Sequence, residues 1–417
     1  MTISVYPPLG SSINNAITVQ YGGAQLDAFG RLRISQPYTL FDSQNRYVSD
    51  AQFDTSTGTG GSTTFLTNES TLRMDVTTSS GSYVYRQSYR SFHYQPGKSL
   101  LVLATFVMNT AKTGLRQRVG YFNTQNGVFF QQDGTTKSFV LRSYVTGSVS
   151  DARTENQSAW NGDKLDGTGP SGLTLDTTKA QILFMDFEWL GVGSVRCGFI
   201  INGQYIICHT FNNANLISNV YMTTAILPIR YEIENTAGTA SSSSLKQICS
   251  SVMSEGGYDS VDALSVARRT TQLSNIDTTF LPLISIRLKS TRLGAVVLPH
   301  VYQFLPVTSQ NYEVVLTKNP TLTGSPSWVT SDFENVEYDV SATGYTGGTI
   351  VQSDFVTSSA QGRAVLTAPT GYNWDLQIGA SIAGTSDIYT VGVRIVSGAT
   401  KGDGFASFSF YDLTDGL

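Results

Sequence analysis

Across much of the chain apolar residues recur at every second position, the period that puts side chains on one face of a β-strand. Leu183, Met185, Phe187 and Trp189 follow this spacing within residues 181 to 234, the best-specified stretch. Further on, two apolar runs at 195–201 and 205–210 flank Asn202-Gly203, the dipeptide suited to a type I′ turn. A hairpin with that turn sets Phe199 opposite Ile206 and Cys197 opposite Cys208, so its central pairs are apolar and cover a core. Pro228 precedes another extended run at 229–233, in keeping with Pro at a strand start.

Upstream, strand-like runs at 65–76, 83–94, 99–108, 117–122, 128–132 and 138–145 alternate with turn dipeptides such as Pro96-Gly97, Asn126-Gly127 and Asp133-Gly134. Short strands at such spacing predict an antiparallel sandwich or jelly roll. The fold expected is all-β: an extended N-terminal arm over residues 1–50, a main β-sandwich of jelly-roll, concanavalin-like type over 51–260, and a second β-sandwich over 261–417. Residues 261 to 269 fit a short helix or a strand equally well. Pro7-Pro8, Gly22-Gly23 and Pro37 break up the arm. Its residues 27 to 47 nevertheless carry Phe29, Leu32, Ile34, Tyr38 and Phe41, with Arg31, Arg33 and Arg46. Apolar extended segments gain stability only under cover of another surface, so the arm docks either on its own sandwich or on a neighbouring subunit. Phe29, Arg31, Arg33, Phe41 and Asp42 are the candidate docking residues.

Composition sharpens this picture. The 39 Gly, 21 Tyr and 21 Phe with only 14% charged residues favour β structure over helix. A net charge of −4, with Lys and Arg scattered, offers neither a nucleic-acid footprint nor a polybasic membrane patch. The start of the sequence does not read as a secretory signal and no run approaches 18 apolar residues, so synthesis in a cytosol without membrane insertion is expected. Cys197, Cys208 and Cys249 form no CxxC pattern, and Cys197 and Cys208 are read as free buried thiols. No metal and no cofactor is implied.

Candidate chemistry is sparse. Asp186 and Glu188, two apart on a strand, point to one face with Cα atoms about 6.5–7 Å apart, a spacing that paired glycosidase carboxylates could use. Lectin-like glucanases of jelly-roll fold carry three acids along one strand, whereas here the chain turns at Gly191 after two. Solvated or hydrogen-bonded strand acids are the plainer reading. The loop between Val149 and Asp176 is too long for a turn, and loops of that length are often functional. Trp160, Asn161, Asp163 and Asp166 form a sugar-like ligand set, with Trp189 as a second platform. The bland alternative is a structural Ω-type loop packed by Trp160.

The segments DAFGRLRISQPYTLFDSQNRY, WNGDKLDGTGPSG, WLGVGSVRCGFIINGQYIICHTFNNAN and LPIRYEIENT occur in that order over most of residues 20 to 260. In them the chain resembles a family of virion structural proteins of tailed bacteriophages. The resemblance brings no catalytic residues. It implies a non-enzymatic virion component that forms a symmetric homo-oligomer and contacts portal, neck, tail or capsid proteins. A tail- or neck-associated fibre or appendage is the expectation, with head decoration or a head fibre as the alternative. A carbohydrate-binding receptor module on a host surface glycan and a glycan depolymerase are the remaining alternatives.

Overall fold

A computed structural model of the chain describes residues 36–259, 264–332, 334–357 and 373–414 with side chains, and the strands Thr2–Ser4, Thr18–Gln20 and Ala364–Thr367 by backbone. The fold is all-β and antiparallel. One sheet of the first unit has seven strands, in the order Ser150–Asn156, Thr136–Ser143, Gly127–Asp133, Leu115–Phe122, Ile229–Asn235, Tyr83–Ser88 and Phe53–Gly58. The other has eight. Gln204–Phe211, Val195–Ile201, Gln181–Phe187, Leu100–Val107, Ser243–Ser254, Thr71–Val76 and Ser62–Leu66 run in order, and Tyr38–Gln44 pairs beside Ser243–Ser254.

The two sheets pack face to face because the period-two apolar residues of each point inward. Leu183, Met185 and Phe187 are buried in the shared core, as their spacing predicts. Tyr121 of the seven-stranded sheet meets Phe187 of the eight-stranded sheet at 5.2 Å between ring centroids, and Phe130 meets Phe199 at the same distance. The hairpin forms as expected, with Asn202 at φ 53° and Gly203 at φ 77°, and Phe199 opposite Ile206. One pairing differs. Cys197 lies opposite His209, because a bulge between Cys197 and Gly198 takes Cys208 out of register. Cys197 and Cys208 are free and buried, while Cys249 is exposed.

The segment expected to belong wholly to an arm divides. Tyr38–Gln44 is a strand of the sandwich itself, and Leu40 and Phe41 are buried in its core. Phe41 packs on Phe92 at 4.8 Å. The chain from Tyr38 therefore docks on its own sandwich, since a strand laid along Ser243–Ser254 satisfies its backbone and covers its apolar side chains together.

The second unit is also a sandwich. Its four-stranded sheet runs Leu264–Ile276, Gly402–Asp412, Val297–Pro306, Ala364–Thr367; its six-stranded sheet runs Val329–Thr330, Val336–Asp339, Leu281–Leu288, Ile388–Ile395, Asn311–Lys318, Thr349–Thr357. Leu264–Ile276 settles the open choice at 261–269 in favour of a strand from Leu264 onward. Phe304 and Tyr312, one from each sheet, meet at 5.0 Å in the second core.

A dense joint ties the units together. Trp374 of the second donates its indole N–H to the Tyr38 hydroxyl at 2.9 Å and stands edge-on to Tyr258 at 5.1 Å. Arg90 donates to the Trp374 carbonyl and to Gln52. Gln377 Nε2 donates to the Ser91 carbonyl at 2.8 Å, the Ala380 N–H to the Tyr89 carbonyl at 2.9 Å, and the Ile382 N–H to Asp54 Oδ2 at 2.7 Å.

Candidate functional site

Asp186 is the last polar residue of Gln181–Phe187 and points away from the core that Met185 and Phe187 fill. Glu188 follows just beyond the strand end. Both line one cleft of about 530 Å³, with Tyr94, Lys98, Ser99 and Arg196. Asp186 is committed there: its carboxylate accepts from the Ser99 hydroxyl and from Arg196, its cross-strand partner. Glu188 is exposed, and its Oε2 accepts from the Ser194 N–H at 3.3 Å. Lys98 is bridged to Asp259 at 2.8 Å and to Gln95 at 2.7 Å. Asp186 is taken up by its ion pair with Arg196 and Glu188 accepts from the Ser194 N–H, so the two form a polar hydrogen-bonding wall in which Glu188 is the more open to solvent.

Trp189 turns away from this wall. Its ring packs edge-on to Tyr94 at 5.9 Å and lines a second cleft of about 530 Å³ between the units, beside His93, Ile226 and Leu413. His93 is neutral there, pushed down to about 4 by burial and by nearby Lys98, and its Nδ1 is 2.6 Å from the Tyr258 hydroxyl.

The long loop holds itself together instead of displaying a ligand set. Trp160 is 2% exposed, packs on Phe139 at 4.8 Å and donates Nε1–H to the Glu155 carbonyl at 3.0 Å. A ring so placed is a core residue and offers no platform to a sugar. Asn161 exchanges hydrogen bonds with the Thr210 backbone, accepting from its N–H at 2.8 Å and donating to its carbonyl at 2.9 Å. The Gly162 and Asp163 N–H groups donate to the Cys208 and Ile207 carbonyls, each at 2.9 Å. The loop thus closes the open edge of Gln204–Phe211. A Cβ on residue 162 would collide with the Ile207 carbonyl oxygen, so the close approach requires glycine. Asp163 accepts from the Leu165 N–H at 2.8 Å and the Ser171 N–H at 2.7 Å; burial pushes its carboxyl up, and these bonds hold it below the usual range. Asp166 accepts from the Thr168 hydroxyl and N–H, which likewise lower it.

A third polar array went unrecognised in the sequence. On the outward face of the seven-stranded sheet, Glu232 stands between Arg230, whose Nε donates at 2.6 Å, and Arg118, whose Nη1 donates at 3.3 Å. Arg230 is 4% exposed and Glu232 5%. One rung along, Glu234 accepts from Arg116 Nε at 2.7 Å and from the Tyr85 hydroxyl at 2.7 Å. Burial pushes the Glu234 carboxyl up, but Tyr85, Arg116 and Arg118 hold it below its ordinary value. Burial and the bond to Glu234 raise the Tyr85 phenol, so it stays protonated and cannot serve as a base. Arg118 and Arg142 lie over the Phe129 ring at 5.2 and 5.1 Å, and Arg230 over Tyr85 at 4.9 Å. The available signal was the alternation Arg230, Glu232, Glu234 between Tyr231 and Ile233.

Of the candidate docking residues, Phe41 is in the core and Asp42 is exposed on the same strand, while Phe29, Arg31 and Arg33 lie outside the described residues. Among the described residues no group of three or more His, Cys, Asp or Glu side chains could hold a metal ion. No helix there is long and apolar enough to cross a membrane.

No protein family matches the chain, and no curated protein resembles it in sequence. Among solved structures, it is similar to the endo-β-1,4-glucuronan lyase of the fungus Trichoderma reesei, with 10% identity and a TM-score of 0.35 over 52% of this chain and 95% of the lyase. The carbohydrate recognition domain of Emp47p matches with 11% identity and a TM-score of 0.34 over 52% of this chain and 97% of that domain. The β-glucanase of Bacillus licheniformis matches with 11% identity and a TM-score of 0.34 over 51% of this chain and 96% of that enzyme.

Proposed function

We propose that this chain is a non-enzymatic structural component of a tailed-bacteriophage particle, in which two β-sandwiches form one stiff projecting body of a tail- or neck-associated fibre or appendage. The joint at Trp374 carries this reading. A flexible pair of domains would meet through few contacts, whereas here five backbone and side-chain hydrogen bonds at residues 374 to 382 reach three separate segments of the first unit. The resemblance noted in the segments of residues 20 to 260 is the ground for the particle role. The pairing of Asp186 with Arg196 supports a body that does no chemistry at that cleft. The first test is composition: gradient-purified particles of the phage that encodes the chain contain it as a stoichiometric protein that resists salt washing. Its absence from such particles would refute the reading.

A second reading is favoured by the wall of Asp186, Ser99, Glu188 and Arg196. Fixed donors and acceptors of both kinds suit the hydroxyls of a host surface glycan, bound without being cleaved. Glycan-array binding that falls in Glu188→Gln while the fold is kept supports it; a protein that retains no glycan on the array removes it.

A further inference from the structure

Sheet edges are hazards, because a row of free N–H and C=O groups accepts any passing strand. Among the described residues several edges are guarded. Gln204–Phe211 is closed by Asn161, Gly162 and Asp163. Ser150–Asn156 carries Asp151, Arg153 and Glu155 along its length. Phe53–Gly58 is approached by the second unit through Asp54 and Ile382. Leu264–Ile276 carries Arg268 and Arg269, and Val329–Thr330 is only two residues long.

Thr349–Thr357 is different. It is nine residues long, ends the six-stranded sheet, and pairs on one side with Asn311–Lys318. Its one charge, Asp354, is turned back to accept from the Tyr302 hydroxyl at 3.1 Å and from Gln352 Nε2 at 3.1 Å. Phe355 points outward and is 71% exposed, and Ile350 and Val351 are exposed too. Val351 is a bulge residue, skipped between the pairs Leu316 with Gln352 and Thr317 with Ile350, so the regular free edge begins at Gln352.

We infer that this edge is the site at which a second copy of the chain adds, strand 349–357 against strand 349–357, antiparallel about a two-fold axis near Phe355. The backbone points to the class of partner, since a regular row of free strand groups is matched along its length by another strand. The side chains choose the copy. A two-fold near Phe355 lays both Phe355 rings on one side of the joined sheet, where each covers the other. It also sets Asp354 opposite Val356, so that the two carboxylates do not face each other, and Ser353 opposite Thr357. An isologous pair of this kind closes on itself and goes no further. The inference does not depend on the particle role proposed above.

Light scattering after gel filtration of the full chain tests it. A mass twice the 45.1 kDa chain is expected, and Phe355→Lys, at an exposed position that leaves the fold intact, should weaken the dimer by at least about ten-fold, with Phe355→Ser as the milder second variant. Leu305→Lys, at another exposed apolar position, should leave the dimer unchanged. Hydrogen exchange of the amides at 353 to 357 should slow with rising concentration in the parent protein and lose that dependence in Phe355→Lys. A parent protein of single-chain mass, an open-ended series of larger species, or a dimer untouched by both Phe355 variants would each overturn the inference.

Discussion

The indole N–H of Trp374 reaches the hydroxyl of Tyr38 at 2.9 Å, a hydrogen bond between residues 336 positions apart that joins the first strand of one sandwich to a short 3-10 turn beside the other. Tyr258 packs against both rings, at 5.4 Å from Tyr38 and 5.1 Å from Trp374. The three aromatics, half-buried apart from the exposed Tyr38, and the buried Arg90 interlock across the joint, which is why the units are expected to move as one.

Trp374→Ala removes the aromatic contacts and one of the five hydrogen bonds, and should loosen the joint without unfolding either unit. Small-angle scattering should show a larger radius of gyration, and the thermal unfolding trace should separate into two transitions. Tyr38→Phe removes one hydrogen bond, costs about 1 kcal/mol and should leave the scattering curve unchanged.

The outward ionic ladder predicts stability losses of very different size for two variants. Glu232→Ala takes the carboxylate from buried Arg230 and leaves buried Arg118 with Gln131 and the more distant Glu234, and should cost about 3–5 kcal/mol in urea unfolding. The double variant Arg230→Met with Glu232→Leu removes charge and counter-charge together and should lose far less.

Gly162→Ala should lower stability by about 1–3 kcal/mol, because the added methyl displaces the loop from the Ile207 carbonyl. Amide exchange at Gly162, Asp163 and Thr210 should speed up first, since those N–H groups make the bonds by which the loop closes the edge.

His93 gives the protein a pH dependence. Its folded value, about 4, is below the ordinary imidazole value of 6.5, so the unfolded chain binds the proton that the folded chain refuses. Stability should then be complete above about pH 6.5 and fall as pH drops toward 4. His209, also held low by burial, with its Nδ1 facing the Asn161 N–H, acts in the same direction. His93→Gln should flatten the midpoint-against-pH curve in that window, and an unchanged slope would contradict the assignment.

How much of this could be read from residues alone depends on the range of the interaction. The alternation of Leu183, Met185 and Phe187 and the turn at Asn202-Gly203 are local, and strand and hairpin follow from them. The bulge at Cys197 was invisible because nothing in the local pattern distinguishes a shift of one residue within an apolar run. Trp160, Asn161 and Asp163 fit two readings for a different reason: residues that shape a sugar site also plug a sheet edge, and only the position of Gln204–Phe211 tells them apart. Arg230 and Glu232 alternate as a solvated strand face would. They are buried because Phe122 and Phe129, more than a hundred positions earlier, come to lie beneath the guanidinium groups.

A stiff two-sandwich body, proposed to stand on the particle as part of a tail or neck appendage, can be located there by eye. Gold-labelled antibody raised against residues 264 to 414, applied to intact particles and viewed by negative-stain electron microscopy, should decorate the neck, the tail or the fibre tips. Label spread evenly over the head would contradict the appendage and make the chain a decoration protein; no label on intact or opened particles would contradict the structural role altogether.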